Sequence, residues 1–317
     1  MVASSSTGPL TVILGATGAQ GGSVVNALLH SARPYRIVAL SRSTSSNKAQ
    51  QLREKGCEVV EADVGKKETL EKAFKGAQIV FAMTEFWSDQ NAARELEDGK
   101  RIVDAAKAAQ TVQLFVWSGL EPVREISKGK IREVVHFDSK AAITAYARSS
   151  GLPLAVVEPG CYMSNFLSGT LGPHRTANGE VEWRLPVTGR TVVSLLDAQA
   201  DYGAFVRAAI EVPGLQAGCE VLACAEELTL ETMVRQWSEV TGVKATYRQI
   251  TPAQFLEAIP GSIGVELLEM LQWFEQYGYF GRKSISKSVH ALQVKVKTWK
   301  EWVKEQKWAV LDEGVKM

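Results

Sequence analysis

The chain has 317 residues, 45% of them hydrophobic and 22% charged. That length suits about two domains at ~150 residues each or one large α/β unit, and the composition lets roughly three-quarters of the unfolded surface be buried, which excludes intrinsic disorder as the general state. Thirty-six Lys and Arg against 35 Asp and Glu leave a formal charge of +1, so no single-sign field captures nucleic acid or an anionic membrane by charge alone.

Leu10–Leu14 is a short apolar, β-branched run that ends in Gly15-Ala-Thr-Gly18-Ala-Gln-Gly21-Gly22. Ser23–His30 then carries Val24, Val25, Leu28 and Leu29 at helical spacing, so the order is strand, glycine turn, helix. The pattern repeats with Arg36–Leu40 as a strand, Asn47–Lys55 as a helix, Glu58–Glu61 as a strand, Lys67–Phe74 as a helix and Ile79–Met83 as a strand. A long helix over Asn91–Ala109 leads to the strand Gln113–Trp117, followed by a helix from about Ile131 to Ser149 and the strand Leu154–Val157. Strands alternating with helices of this length demand parallel pairing through right-handed crossovers. Six strands predict an α/β fold with a doubly wound parallel sheet of Rossmann type over residues 1–160.

Beyond Gly160 the rhythm breaks, with Gly, Pro and aromatic residues in Gly169–Gly179 and Tyr277–Gly281 and a helix at Leu230–Val240. Residues 161–317 are expected to form mainly a smaller α+β substrate lobe, with some later segments returning to the first domain. Arg282–Met317 carries nine Lys and Arg against four Asp and Glu, and the spacing of Trp299, Trp302 and Val303 predicts a helix docked by its aromatic side. The longest apolar stretches fall far short of the ~20 residues of a membrane span. Met1–Ser6 lacks the charged region and apolar core of a signal peptide, so the expected location is the cytoplasm. Cys57, Cys161, Cys219 and Cys224 form no CxxC pair and no zinc spacing, which suits buried free thiols and no metal site.

A phosphate pair sits at a helix N-terminus because backbone N–H groups point at it, provided no side chain blocks the approach. The turn Gly15, Thr17, Gly18, Ala19, Gln20, Gly21 has the G-x-x-G-x-x-G form, follows the first strand and opens the first helix, so it reads as a dinucleotide cradle. The second strand ends Ala39-Leu-Ser-Arg42, with no acid for an adenosine 2′-hydroxyl. Arg42, with Lys48 near it, suits a 2′-phosphate, so NADP(H) is the expected cofactor. Asp63 and Val64 are placed near the adenine, and Ala82, Met83 and Thr84 near the riboses.

The glycine turn, Arg42, Gly99–Ala109, His136-Phe-Asp-Ser-Lys140, Ser149-Ser-Gly-Leu-Pro153, Pro159-Gly-Cys-Tyr-Met-Ser-Asn-Phe166 and Trp273–Tyr279 together resemble the NmrA-like family of atypical short-chain dehydrogenases over nearly the whole chain. The resemblance implies an N-terminal NADP-binding domain and a C-terminal lobe closing over the nicotinamide, with Pro159, Gly160, Tyr162 and Asn165 in the loop beside the cofactor. Members of the family divide between NADP(H)-sensing regulators that bind protein partners and reductases, including fungal enzymes of secondary metabolism.

The broader short-chain dehydrogenase family uses Ser, Tyr and Lys, with Tyr and Lys at Y-x-x-x-K so that both share a helix face. Here the lysine is Lys140, the serine position is Ser118, and His136 stands where the tyrosine is expected. Lys140 is expected to hold the nicotinamide ribose. His136 is the candidate proton donor, with Tyr162 and Tyr146 as substitutes. The favoured function is hydride transfer from NADPH to a carbonyl or an imine or iminium carbon of a small aromatic or heterocyclic substrate. The alternative is a non-catalytic NADP(H) sensor, the only reading that calls for a protein partner. A homodimer is left open, and neither nucleic acid nor a membrane is an expected partner.

Overall fold

The computed structural model describes residues 8–167, 169–292 and 295–312. The opening Met1–Ser6 stretch and the last residues of the basic segment lie outside them. The first half alternates β1 (Leu10–Ile13), α1 (Ala19–Leu29), β2 (Arg36–Ser41), α2 (Asn47–Glu54), β3 (Glu58–Glu61), α3 (Lys67–Phe74), β4 (Ile79–Ala82), α4 (Ala92–Ala108) and β5 (Leu114–Trp117). A short α5 (Val123–Ile126), α6 (Val135–Ser149) and β6 (Leu154–Pro159) follow.

These strands lie in one parallel sheet of order β3-β2-β1-β4-β5-β6, extended by a seventh strand, β11 (Glu220–Ala223), which pairs in parallel with β6. The sheet is buried on both faces, as parallel sheets must be. Val12, Val80 and Phe115 point to a core with Leu70, Phe74, Ile102 and Ile143 of α3, α4 and α6. Their neighbours Ile13, Phe81 and Val116 point the other way, to Val24 and Leu28 of α1 and to Phe205 and Val206.

The sequence reading of six strands is therefore one short. β11 has four residues and reaches the sheet only after a long excursion from β6, so local periodicity carries no sign of its pairing. The crossover helix α7 (Tyr202–Glu211) returns with it and lies on α1, where Gly203 N–H donates to the Ser23 hydroxyl at 2.8 Å. Boundaries also move, α1 starting at Ala19 rather than Ser23. α6 starts at Val135 rather than Ile131, because Ser127 holds Ile131 in a tight turn. β6 runs on to Pro159, because Gly160 N–H continues the ladder to the Ala223 carbonyl at 2.8 Å.

The chain after Gly160 builds the second lobe from β7 (Cys161–Tyr162), a 3-10 turn at Met163–Phe166, β8 (His174–Arg175), β9 (Val181–Leu185), β10 (Val192–Leu196), β12 (Glu226–Thr229), α8 (Leu230–Thr241) and β13 (Ala245–Gln249). It continues through α9 (Pro252–Ala258), α10 (Ser262–Tyr277), α11 (Ser286–Ala291), α12 (Trp299–Glu305) and α13 (Ala309–Asp312). Its strands form two small sheets, β12-β10-β7 and β13-β9-β8. The expected docking of α12 is observed: Trp299, Trp302 and Val303 are buried against Trp183, Trp237 and Trp308. Cys57, Cys161 and Cys224 are buried free thiols, whereas Cys219 is only partly covered. No described helix is long and apolar enough to cross a membrane, and no described group of His, Cys, Asp and Glu could hold a metal ion.

Candidate functional site

Strand order reverses about β1, whose neighbours are β2 and β4, and ligands of open α/β sheets bind at the carboxyl ends of the strands at such a point. There β1 gives way to the glycine turn. Gly15 has φ +64°, and a Cβ on Gly21 would lie 2.3 Å from the Gly15 carbonyl oxygen, so the turn closes onto α1 only with glycine at both positions. α1 has neither a side-chain cap nor an acid in its first turn. Its leading N–H groups are thus left for an anion.

A cleft of about 710 Å³ opens over this turn. Of the residues singled out in the sequence, Gly15, Thr17, Gly18, Ala19, Gln20, Gly21, Arg42, Asp63, Val64, Met83, Thr84 and Tyr162 line it. Arg42, just past β2, is exposed and forms no ion pair among the described residues. Lys48 stands on the other side of the turn, where its Nζ donates to the Thr17 carbonyl at 3.1 Å beside a separate recess. The Asp63 carboxylate is engaged locally, accepting from Gly65 N–H at 2.9 Å and facing Lys66 at 3.9 Å. Ala82 is buried at the end of β4. Pro159 and Gly160 are buried where the chain leaves the main sheet, and Asn165 is exposed on the 3-10 turn, near Cys161 Sγ.

Lys140 does not face a tyrosine. Its ammonium pairs with the buried carboxylate of Glu95, which also accepts from the Ser139 and Thr84 hydroxyls, the latter at 2.7 Å. Glu95 and Thr84 line the cleft, whereas Lys140 and Ser139 bond to Glu95 without being among the lining residues. Ser118, at the end of β5, is buried below the cleft against Tyr202.

His136 lies one turn before Lys140 on the same face of α6. It is packed among Phe86, Trp87 and Phe137, with its Nδ1 2.5 Å from Glu266 Oε1 of α10. Burial lowers its pKa against the opposing pull of Glu266, which favours the neutral ring, with Nδ1–H toward the carboxylate. The same Glu266 oxygen accepts the His136 backbone N–H at 2.9 Å.

Tyr162 reaches the cleft from the first residues of the second lobe, and its hydroxyl oxygen accepts from Gln20 Nε2 at 2.6 Å. Burial raises its pKa, the Gln20 bond works against that, and the nearby Glu85 adds to it. No cation among the described residues offsets these effects, so Tyr162 keeps its proton.

Besides Glu85, Asp89, Arg94 and Asp98 of the cleft lining, the sequence reading missed Glu95 and Glu266. Each leaves a trace: Glu95 falls on the buried stripe of α4 with Gly99, Ile102 and Ala106, and Glu266 on that of α10 with Met270 and Trp273. An acid in an apolar stripe signals a buried partner, though not which one.

The sequence pattern of the NmrA-like family matches residues 9–303. The NmrA-like family domain-containing oxidoreductase ptmS of Penicillium ochrochloron is 30% identical over 307 residues, covering 90% of this chain and 91% of that protein. FrzB of a Cladobotryum species, named in the same way, is 28% identical over 84% of each chain. Among solved structures, NmrA, a negative transcriptional regulator, superposes with TM-score 0.80 at 20% identity over 98% of this chain and 99% of its own. The NADPH-dependent quinone oxidoreductase QOR2 of Escherichia coli, solved with NADPH, superposes with TM-score 0.74 at 22% identity, over 93% and 98%. At those identities the structures establish a common fold, and the sequence match across the chain establishes kinship: this protein belongs to the NmrA-like family.

Proposed function

We propose that the chain is an NADP(H)-dependent oxidoreductase that reduces a carbonyl, imine or iminium carbon of a small aromatic or heterocyclic molecule. The observation that carries this reading is the cleft itself, in which a bare glycine turn, an uncapped helix start and an unpaired arginine line one continuous space. The residues present fit the dinucleotide. The glycine turn would take the pyrophosphate, Arg42 the 2′-phosphate, and Met83 and Thr84 the part beyond β1. Residues 1–160, with α7 and β11, would serve as the nucleotide domain, and most of 161–317 as the substrate lobe. The oxidoreductase names of ptmS and FrzB and the NADPH-bound QOR2 support the same reading.

When bound, NADPH supplies a hydride to the electrophilic carbon and leaves as NADP+. Tyr162 holds its proton at the hydroxyl and lies in the cleft, so it is the group suited to donate to a developing alkoxide. His136 has its Nδ1–H committed to Glu266, so it is the weaker candidate for that donation. Lys140 has its charge met by Glu95 and serves the site by fixing the cleft wall.

The sensor alternative draws on one observation, that Lys140 faces Glu95 instead of a phenol, and on the regulator NmrA having the same fold. Turnover decides. NADPH oxidation with a panel of carbonyls and preformed imines is expected, and Tyr162→Phe should lower kcat on a carbonyl about 100-fold with little change in the Kd for NADPH. Tight NADPH binding without turnover of any substrate favours the sensor.

A further inference from the structure

The cleft contains one polar group with an unmet bond. Gln20 is 5% exposed, its Nε2 donates to the Tyr162 hydroxyl, and its Oε1 is buried without a hydrogen-bond partner. Turning the carboxamide over changes nothing in this count, because Tyr162 satisfies one polar atom and the other stays open. Native folds seldom keep a buried amide oxygen unpaired, so one carried by a side chain that lines a ligand cleft points to a donor that arrives with the ligand.

The topology identifies which end of the ligand brings it. Arg42 and Asp63 follow β2 and β3 on one flank of β1, whereas Met83 and Thr84 follow β4 on the other flank. Tyr162 follows β6, two strands further along that second flank. Gln20, bonded to Tyr162, therefore belongs to the half of the cleft away from Arg42.

We propose that Gln20 reads the nicotinamide-riboside half of the dinucleotide, its open carboxamide oxygen accepting from a hydroxyl or amide donor there, while the same side chain positions the Tyr162 hydroxyl. The inference rests on the NADP(H) reading of the cleft. It links the two lobes through a single side chain, since Gln20 and Tyr162 are 142 residues apart. Ligand arrival completes the carboxamide and stiffens the first contact between the glycine turn and the second lobe.

Gln20→Met keeps the length of the side chain and removes both polar ends. The test compares its Kd for NADP+ with that for adenosine 2′,5′-bisphosphate, which lacks the nicotinamide riboside, together with the thermal midpoint of the ligand-free protein. The expected result is NADP+ binding weakened about tenfold, bisphosphate binding held within about twofold, and a midpoint that does not fall. Gln20→Asn, too short to keep the bridge, should show the same split. Equal effects on both ligands, or a lower midpoint with unchanged NADP+ affinity, would overturn the proposal. Failure of the unaltered chain to bind either ligand overturns the NADP(H) reading beneath it.

Discussion

The pairing of Lys140 with Glu95 changes what the lysine can do. In a Tyr-x-x-x-Lys pair the ammonium lowers the phenol pKa, but here one carboxylate, 1% exposed at its side chain, takes donors from Lys140, Ser139 and Thr84. Glu95→Ala should cost about 3–5 kcal/mol in urea denaturation, because it strands a largely buried ammonium. Adding Lys140→Met to that variant should recover part of the loss. A single-variant cost under ~1 kcal/mol would mean that the pair is hydrated and contributes little. At this scale legibility follows the range of the cause. Gly15, Gly21 and Arg42 were readable because a backbone turn and a strand end are local facts. Glu95 and Glu266 were not, because their partners lie 45 and 130 residues away in sequence.

The elements β1 to β6 were legible because each strand is a buried apolar run and each crossover an amphipathic helix. β11 was not, since a four-residue strand is recognised only by its neighbour β6. That late pairing creates a half-buried charge cluster at the sheet margin, with an exposed Lys283 over two buried acids. Glu158 of β6 and Glu121 after β5 are nearly inaccessible, and Lys283 reaches Glu121 at 2.7 Å, Glu220 of β11 at 2.8 Å and Glu158 at 3.9 Å. Burial first, and Glu121 second, push the Glu158 carboxyl up to about 8, with Lys283 opposing and Glu220 adding to the rise. The folded protein thus keeps a proton that the unfolded chain gives up near the ordinary carboxyl value of 4.5. Between those values the native state binds more protons, so the stability from this group is complete below about 4.5 and is lost as pH rises through about 8. Thermal midpoints should fall from pH 5 to pH 8.5, and Glu158→Gln should flatten that slope. Parallel slopes for the two proteins would remove Glu158 as the cause.

Over the whole molecule, the segments after Gly160 are tied to the seven-stranded α/β unit at points that also bear on the cleft. α6 begins without a side-chain cap of its own, and α10 supplies one: Glu266 accepts the His136 N–H, while Glu269 holds the approach to the helix by accepting the N–H groups of Arg132 and Glu133. Tyr162 meets Gln20 across the same divide. The lobe's own core, built around Trp183, Trp237, Trp299 and Trp302, gives these contacts a rigid base. The aromatic richness of this lobe was legible in the sequence. Its two small sheets were not, because strands as short as Cys161–Tyr162 and His174–Arg175 carry no periodicity.

The proposed NADP(H) site rests on the glycine turn and the cation beside it. Titration of the purified chain with NADPH and NADH, repeated on Arg42→Glu, tests it most directly. The account predicts preference for NADPH in the unaltered protein and a loss of at least about tenfold in NADPH affinity in the variant, with NADH affected far less. Equal affinity for the two nucleotides in both proteins, or binding of neither, would contradict it.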